Sequence, residues 1–430
     1  MNSSQPLIFF APAANSTAGL SHWSSQETGM GSSLQSNLGT ILACILSFLA
    51  AAVSSAGGVG GGSLYVPILN IVAGMSLKTA TAVSTFMVSG GTLSNVLYTL
   101  FLRGGGSGQG QGQQPLIDYD IAVVSQPCLL LGVSVGVVCN VVFPEWLITA
   151  LFSLFLAFAT FKTYGAGVRR WRAETAELGR MPPDAVSGAA AEEALLGRNA
   201  SGGRRCQWVD LAVLITVWLC FFVMHLFIGG EGAKGVFDIK PCGIVYWLIT
   251  MAQIPVAVAF TACIGHQKRK SQAQQHGQVI SAKRKLDALP AYAFPVAALL
   301  TGVMSGLFGI GGGLLLNPVL LQIGVPPTTA AATTMFMVLF CASMSMVQFI
   351  ILGVDGITIA LLYAATCFVA SIVGLVGIQG AIRRSGRASL IVFMVAGILA
   401  LSALVIACSG AVRVWEEYMS GQYMGFKLPC

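Results

Sequence analysis

Long apolar segments separated by short polar stretches run along most of this chain. They lie at approximately 38–56, 62–75, 78–102, 119–143, 146–164, 208–228, 243–264, 292–308, 313–324, 328–353, 357–381 and 388–409. Most approach the roughly 20 residues that a helix needs to cross a bilayer. Segments 62–75 and 313–324 are too short, because about twelve helical residues rise only about 18 Å. The pattern predicts an all-α polytopic membrane protein with about ten full spans and two short half-helices.

Each short segment follows a cluster of glycines, and the two clusters match each other. "GGVGGGSLYVPILN" begins at Gly57 and "FGIGGGLLLNPVLL" begins at Phe308, and an "FMV" triplet follows each, at 86–88 and 336–338. The matched glycines are Gly58, Gly60, Gly61 and Gly62 in the first copy and Gly309, Gly311, Gly312 and Gly313 in the second. We interpret them as one unit used twice. Because the second copy begins after an odd number of crossings, the sequence predicts two inverted repeats with broken helices.

A glycine run that interrupts a membrane helix frees backbone groups at the start of the next half-helix. The first N–H groups of a helix have no partner within it, and they sit at the positive end of its dipole. Such a start favours an anion. The pattern therefore predicts a small-anion site at the paired half-helix starts, while close helix packing at small residues remains the alternative interpretation. A nucleotide-binding loop is not favoured, since no strand precedes the glycines.

Polar side chains on the half-helices and on the helices after them could complete such a site. The candidates are Ser84 and Asn95 in the first copy and Asn317, Ser345 and Gln348 in the second. Serine and threonine hydroxyls in membrane helices often bond only to the preceding turn of their own helix. Amides in lipid are costly and more often face the protein interior. Asn95 and Gln348 are therefore the strongest of these candidates.

Composition agrees with a membrane protein and adds an orientation. The chain has 430 residues, of which 55% are hydrophobic and 9% are charged, and its net charge is +7. Its basic clusters are predicted to be cytoplasmic anchors rather than nucleic-acid contacts, because positive residues concentrate in cytoplasmic loops. With the N-terminus extracytoplasmic and each half-helix returning the chain across the membrane, all of these clusters fall on one side.

These features divide the chain into seven predicted regions. They are an extracytoplasmic tail at 1–37, a first repeat at 38–164, a polar cytoplasmic loop at 165–207, a connecting pair of helices at 208–264, a basic cytoplasmic loop at 265–291, a second repeat at 292–409 and a C-terminal tail at 410–430.

Catalytic, metal and cofactor chemistry is not indicated. The eleven cysteines form no Cys-x-x-Cys pair and no His-interleaved set, so no metal or redox site is predicted. No carboxylate lies at the centre of an apolar segment, and no nucleotide-binding domain is present to use ATP. We therefore predict that the protein is not an enzyme and needs no cofactor. His225 lies well inside an apolar segment, facing either a neighbouring helix or a polar path.

Four stretches carry a family resemblance. They read "GGVGGGSLYVPILN", "LIDYDIAVVSQPCLLLGVSVGVVCNVVFPEWLIT", "FGIGGGLLLNPVLLQIGVPP" and "GRASLIVF". Together they resemble the sulfite exporter TauE/SafE family, chiefly its longer plant and algal members, over about 38–409. The resemblance implies a multi-pass transporter with duplicated halves that exports sulfite or organosulfonates.

The sequence thus predicts a secondary transporter of a small sulfur-containing oxyanion, working by alternating access in the plasma membrane or an endomembrane. Its expected partners are that anion and the surrounding lipid, with no nucleic acid, and its oligomeric state stays open. The alternatives are an anion channel and a membrane scaffold that does not transport.

Overall fold

The computed structural model describes residues 38–57, 60–102, 117–178, 204–228, 244–274, 293–323, 325, 327–353, 356–385 and 389–419. These residues form twelve α-helices: α1 Leu38–Gly57, α2 Gly62–Ile71, α3 Leu77–Leu97, α4 Tyr119–Val142, α5 Glu145–Leu178, α6 Arg204–Ile228, α7 Ile244–Gln274, α8 Ala293–Phe308, α9 Gly313–Ile323, α10 Pro327–Ile351, α11 Ile357–Ser385 and α12 Ser389–Met419. A π-helical turn, Tyr98–Leu102, follows α3. The tail at 1–37, the glycine-rich linker after Leu102 and Gly58 lie outside the described residues.

Six of the described helices are long and apolar enough to cross a bilayer, by length and composition. Their spans are Tyr119–Val142, Glu145–Ala176, Trp208–Phe227, Leu248–Gln267, Thr329–Ile351 and Ile357–Gly377. Shorter apolar helices include the half-helix α2, which is 10 residues long, and α9 has only 11. The chain is an all-α polytopic membrane protein, as the sequence predicts. The count of ten full spans stays a prediction.

α3 is less apolar than these spans because other helices enclose it. Nearly every residue of α3 is buried, so its hydroxyls do not face lipid. Thr81 donates to the Leu77 carbonyl at 2.8 Å, and Thr92 donates to the Val88 carbonyl at 2.7 Å. Such bonds to the preceding turn satisfy a hydroxyl inside the membrane without a tertiary partner. A helix in this position can therefore carry many serines and threonines.

The two copies of the predicted repeat pack reciprocally. By chain order, α1 to α5 correspond to α8 to α12. α1 packs on α11 while its counterpart α8 packs on α4, and α3 packs on α11 while its counterpart α10 packs on α4. α3 also contacts α10, and α5 contacts α12. Each copy therefore supplies the surface against which the other is buried. α6 and α7, which lack counterparts, pack on α4.

Glycines set the distance between α4 and α8. Gly132 and Gly136 on α4 meet Gly302 and Gly306 on α8, and a Cβ built on Gly136 would lie only 2.2 Å from the Val303 carbonyl oxygen. Small residues one turn apart let membrane helices approach at the backbone. Replacing any of these four glycines with alanine would add a methyl group at the contact and push the helices apart.

The reciprocal contact between α1 and α11 uses one glycine. A Cβ built on Gly374 would lie 2.1 Å from the Ala52 carbonyl oxygen and 2.5 Å from the Ala52 Cα. Gly377, three residues later on the same helix, has no atom within 4 Å of its built Cβ. One face of α11 is therefore closed to a methyl group while its neighbouring face is open.

Polar side chains tie helix ends together. The buried Lys78 Nζ donates to the Val141 carbonyl at 2.8 Å, which places a cation at the C-terminal turn of α4. Glu174 on α5 accepts from the backbone N–H of Ser389 at 3.0 Å, and the Ser389 hydroxyl also bonds this carboxylate. Ser389 begins α12, so the negative charge sits at the positive end of that helix. α5 reaches Glu174 because it continues past its apolar segment to Leu178.

We expect Gly374→Ala to destabilise the protein and Gly377→Ala to leave it unchanged or slightly more stable. Overpacking a tight contact costs about 1–3 kcal/mol, whereas alanine at an open helical position gains up to about 1 kcal/mol over glycine. Thermal unfolding of the two variants in detergent measures the difference. Equal melting temperatures for both would contradict the close approach of α1 and α11.

Candidate anion site at the glycine turns

The two glycine turns, one before α2 and one before α9, are in direct backbone contact. A Cβ built on Gly62 would lie 2.4 Å from the Ile310 Cα and 2.6 Å from the Gly309 carbonyl oxygen. Gly60, Gly62, Gly309 and Ile310 are all buried. The turns that the sequence pairs only by similarity are therefore neighbours in space.

Both turns use left-handed backbone immediately before their half-helix. Gly61 has φ 67° and Gly312 has φ 75°, a conformation that side-chain-bearing residues rarely adopt. The N–H groups of Leu64 and Tyr65 donate to the Gly61 carbonyl, and those of Leu315 and Leu316 donate to the Gly312 carbonyl. The first turn of α2 and the first turn of α9 are thus formed in the same way. The positive ends of both half-helices lie at the contact.

The valines of the two "FMV" triplets close this contact. A Cβ built on Gly311 would lie 2.7 Å from a Val88 methyl carbon and 2.8 Å from a Val338 methyl carbon. A Cβ on Gly60, the counterpart of Gly311, would lie 3.5 Å from the same Val338 methyl. Val88 and Val338 are fully buried. The matched triplets therefore place one valine from each copy against the turns.

Ser84 reaches across from α3 to the other copy. Its hydroxyl donates to the Gly309 carbonyl at 2.8 Å, whereas the hydroxyls of Thr81 and Thr92 bond only within α3. Thr334 occupies the matching position on α10, one turn before Val338. Its hydroxyl is buried and has no hydrogen-bond partner. The two copies thus differ at this contact by one hydrogen bond.

Two serines that the sequence reasoning missed flank the turns from the preceding helices. Ser54 Oγ lies 2.8 Å from a Cβ built on Gly61, and the Cβ of Ser305 lies 3.6 Å from one built on Gly312. Ser305 is buried, and its hydroxyl has no partner. Ser54 and Ser305 stand at the same distance before their glycine clusters, a match that would have identified them.

The structure brings together only part of the predicted site. Asn95 and Ser345 are buried, and neither the Asn95 side-chain oxygen nor the Ser345 hydroxyl has a hydrogen-bond partner. Each lies seven residues beyond its "FMV" valine, on the same helix face but about 10 Å further along. Asn317 is partly buried on α9, and Gly313 is the buried first residue of that helix.

Gln348 belongs to a separate polar cluster. Its side-chain nitrogen lies 3.0 Å from Nε2 of His225 on α6 and donates to the Ser134 hydroxyl on α4 at 3.3 Å. The Ser134 oxygen is itself 2.9 Å from His225 Nε2. His225 therefore faces the protein interior, which its position in the sequence leaves open.

Comparison with known proteins assigns the family. A model of the family described as "Sulfite exporter TauE/SafE" matches residues 205–406. Sulfite exporter TauE/SafE family protein 2 of Arabidopsis thaliana is 46% identical over 404 residues, which cover 91% of this chain and 87% of that protein. Family protein 5 of the same plant is 44% identical over 401 residues, which cover 91% and 87% of the two chains. No solved structure matches.

The fold is that of an all-α multi-pass membrane protein in which two glycine turns meet. With these relatives covering nearly its whole length, the chain belongs to the sulfite exporter TauE/SafE family.

We expect Ser84→Ala to lower stability and Thr334→Val to leave it unchanged or raise it. Ser84→Ala removes a buried hydrogen bond and leaves the Gly309 carbonyl without its donor, at a cost of about 1–3 kcal/mol. Thr334→Val keeps the shape of the side chain and removes a buried hydroxyl that has no partner. Thermal unfolding in detergent provides the comparison, and a larger loss for Thr334→Val would contradict the asymmetric contact.

Proposed function

We propose that this protein is a secondary transporter of a small sulfur-containing oxyanion, held where the two half-helices begin. The observation that carries the proposal is the direct contact of the two glycine turns, beside which the buried Ser305 hydroxyl lacks a partner. A buried hydroxyl without a partner is costly, and an anion that accepts from it removes that cost. The starts of α2 and α9 add the positive ends of two helix dipoles.

Four groups would contact the anion. They are the backbone at Gly61, the backbone at Gly312, and the hydroxyls of Ser305 and Thr334. The atoms nearest the glycines belong to backbone or to uncharged side chains. A site of neutral donors binds an anion without a permanent ion pair, which suits a substrate that must also leave.

Alternating access is the mechanism that the packing supports. Val88 and Val338 press on Gly311, so an anion reaches the turns only when the two copies move relative to each other. Reciprocal packing of α1 on α11 and of α8 on α4 would let each copy move as a unit against the other. We propose that the copies are inverted in the membrane, so this movement would open the turns to opposite sides in turn.

The substrate class follows from the relatives and the donors together. The Arabidopsis relatives carry the name sulfite exporter. Sulfite and short sulfonates are small oxyanions whose oxygens accept hydrogen bonds from backbone N–H groups and hydroxyls. We propose sulfite or an organosulfonate as the transported anion, moved outward from the cytoplasmic side.

We expect Ser305→Ala and Thr334→Val to raise the KM for the anion about tenfold or more in purified protein reconstituted into proteoliposomes. A hydrogen bond to a charged group contributes about 1.5–3 kcal/mol, and each 1.4 kcal/mol is a factor of ten. Labelled sulfite, sulfate and a short sulfonate are assayed for uptake and for exchange against internal unlabelled anion. The double variant Gly61→Ala with Gly312→Ala is expected to lose flux.

Ser47→Ala is the matched control, because the Ser47 hydroxyl is equally buried and unpaired but lies ten residues before the end of α1. Its KM is expected to equal that of the unmodified protein. Acceleration of uptake by internal anion indicates a transporter, whereas its absence with non-saturating flux indicates a channel. No flux of any tested anion through folded protein would overturn the transport proposal and favour a scaffold.

A further inference from the structure

Two polar side chains, from α4 and α10, converge on one atom of α6, Nε2 of His225. The Ser134 hydroxyl oxygen lies 2.9 Å from it and the Gln348 amide nitrogen 3.0 Å. α6 brings His225 here on the stripe that it buries against the protein, formed by Leu214, Val217 and Phe221. His225 continues this stripe one turn beyond Phe221.

The contacts fit a ring whose Nε2 carries no proton. An amide nitrogen only donates, so Gln348 faces a ring nitrogen that accepts and carries no proton. The second hydrogen of the same amide donates to Ser134 Oγ at 3.3 Å, and the Ser134 hydroxyl donates to the Leu130 carbonyl at 3.2 Å. While His225 Nε2 carries no proton, both amide hydrogens of Gln348 and the hydroxyl hydrogen of Ser134 have an acceptor.

Binding of a proton at Nε2 reverses these roles. Both ring nitrogens of a protonated histidine donate, so Nε2–H would point at the Gln348 amide hydrogens. The Nε2 proton is then accepted by the Ser134 oxygen or by a turned Gln348 oxygen, and in either case the Gln348 amide nitrogen loses its acceptor on the ring. The cluster therefore has two mutually exclusive arrangements, one for each protonation state.

No carboxylate in the described part of the chain stands close enough along these helices to share the proton. α6 packs against α4, α7 and α10. The described titratable side chains on those helices are Tyr119, Asp120, Cys128 and Cys139 on α4, Cys263 and His266 on α7, and Cys341 on α10. Asp120 and the α6 residue Asp210 lie roughly 20 Å along their helices from Ser134 and His225. An unperturbed histidine is the side chain whose charge changes between pH 5 and 8.

Gln348 connects this cluster to the glycine turns. It lies on α10, the helix that also carries Thr334 and Val338. Val338 is about 15 Å away along that helix, so a shift of α10 at Gln348 moves the valine that closes the turns. Ser134 lies on α4, which packs on both α8 and α10. The cluster thus joins the connecting pair of helices to both copies.

We propose that His225, with Ser134 and Gln348, is the proton-binding site that couples anion transport to a pH gradient. Protonation of His225 rearranges the Gln348 amide and shifts α10 against α4. The proton-binding atom would then lie on α6, one of the two connecting helices, and its two partners would lie on α4 and α10 of the duplicated halves. This inference rests on the proposed transport function and names its coupling ion.

The test compares His225→Gln with His266→Gln in proteoliposomes. His266 is an exposed histidine on α7 and serves as the matched control. Labelled sulfite is followed under an imposed pH gradient and, separately, in exchange at equal pH on both sides, while an internal pH dye records proton movement. We expect His225→Gln to lose gradient-driven accumulation at least tenfold, together with anion-linked proton movement, while exchange at equal pH continues. His266→Gln is expected to behave as the unmodified protein.

A second variant keeps the test decisive if His225→Gln is unstable. Gln348→Glu places a carboxylate beside His225 that accepts from the protonated ring, so the pH dependence of accumulation is expected to move to higher pH. Normal accumulation and proton movement in His225→Gln, or an unchanged pH profile in Gln348→Glu, would show that the cluster is only structural. Absence of sulfite exchange at equal pH in the unmodified protein would instead overturn the transport proposal itself.

Discussion

The architecture depends on how closely backbone can approach backbone inside the membrane. Apolar side chains gain little from leaving lipid for protein, so helix association relies on tight contact and on hydrogen bonds. In this protein close backbone approaches occur at glycines, among them Gly62 on Ile310, Gly136 on Val303 and Gly374 on Ala52. All three join one copy to the other. The association of the halves and the geometry of the candidate site therefore have the same origin.

Satisfaction of polar groups separates structural residues from candidate functional ones. Most hydroxyls of α3 bond to their own helix and need nothing else. Ser84 departs from this by bonding across the interface, and Ser305 and Thr334 depart from it by having no partner. Unsatisfied polar groups at membrane depth are expected only beside a cavity or a binding site. Ser84 and Ser305 lie at the glycine turns, where the starts of α2 and α9 supply positive potential.

Much of the fold can be read from the sequence because its signals are local. Runs of apolar residues mark the helices, and the glycine–proline motif marks α2 and α9. α5 extends beyond the end of its apolar segment because the residues that follow are rich in Arg, Glu and Ala, which favour helix in a polar environment. Which helices pack together cannot be predicted from local sequence. Gly136 and Gly306 belong to recognisable small-residue patterns, but neither pattern indicates the helix against which it packs.

The candidate site shows the same division. The glycine residues themselves predict the two turns. The similarity between the two copies predicts that the turns lie together. Asn95 and Ser345 share a face with the FMV valines but lie about 10 Å further along their helices. Gln348 belongs to a different cluster because α4 and α6 pack on α10. His225 could be interpreted only once the rotation of α6 against α4 was known. The buried Lys78 was missed because it stands at the edge of an apolar segment, where a lysine would ordinarily reach water.

Reciprocal packing also has a consequence for biosynthesis. α1 finds its main partner in α11, and Ser84 finds its acceptor 225 residues later in the chain. When the ribosome has inserted only the first half, the Ala52 face of α1 and the glycine face of α4 have lipid as their neighbour, and the Ser84 hydroxyl has only its own helix. The first half must therefore remain inserted but incompletely assembled until α8 enters the membrane. The order of synthesis, rather than the strength of any local contact, determines when this protein can reach its final form.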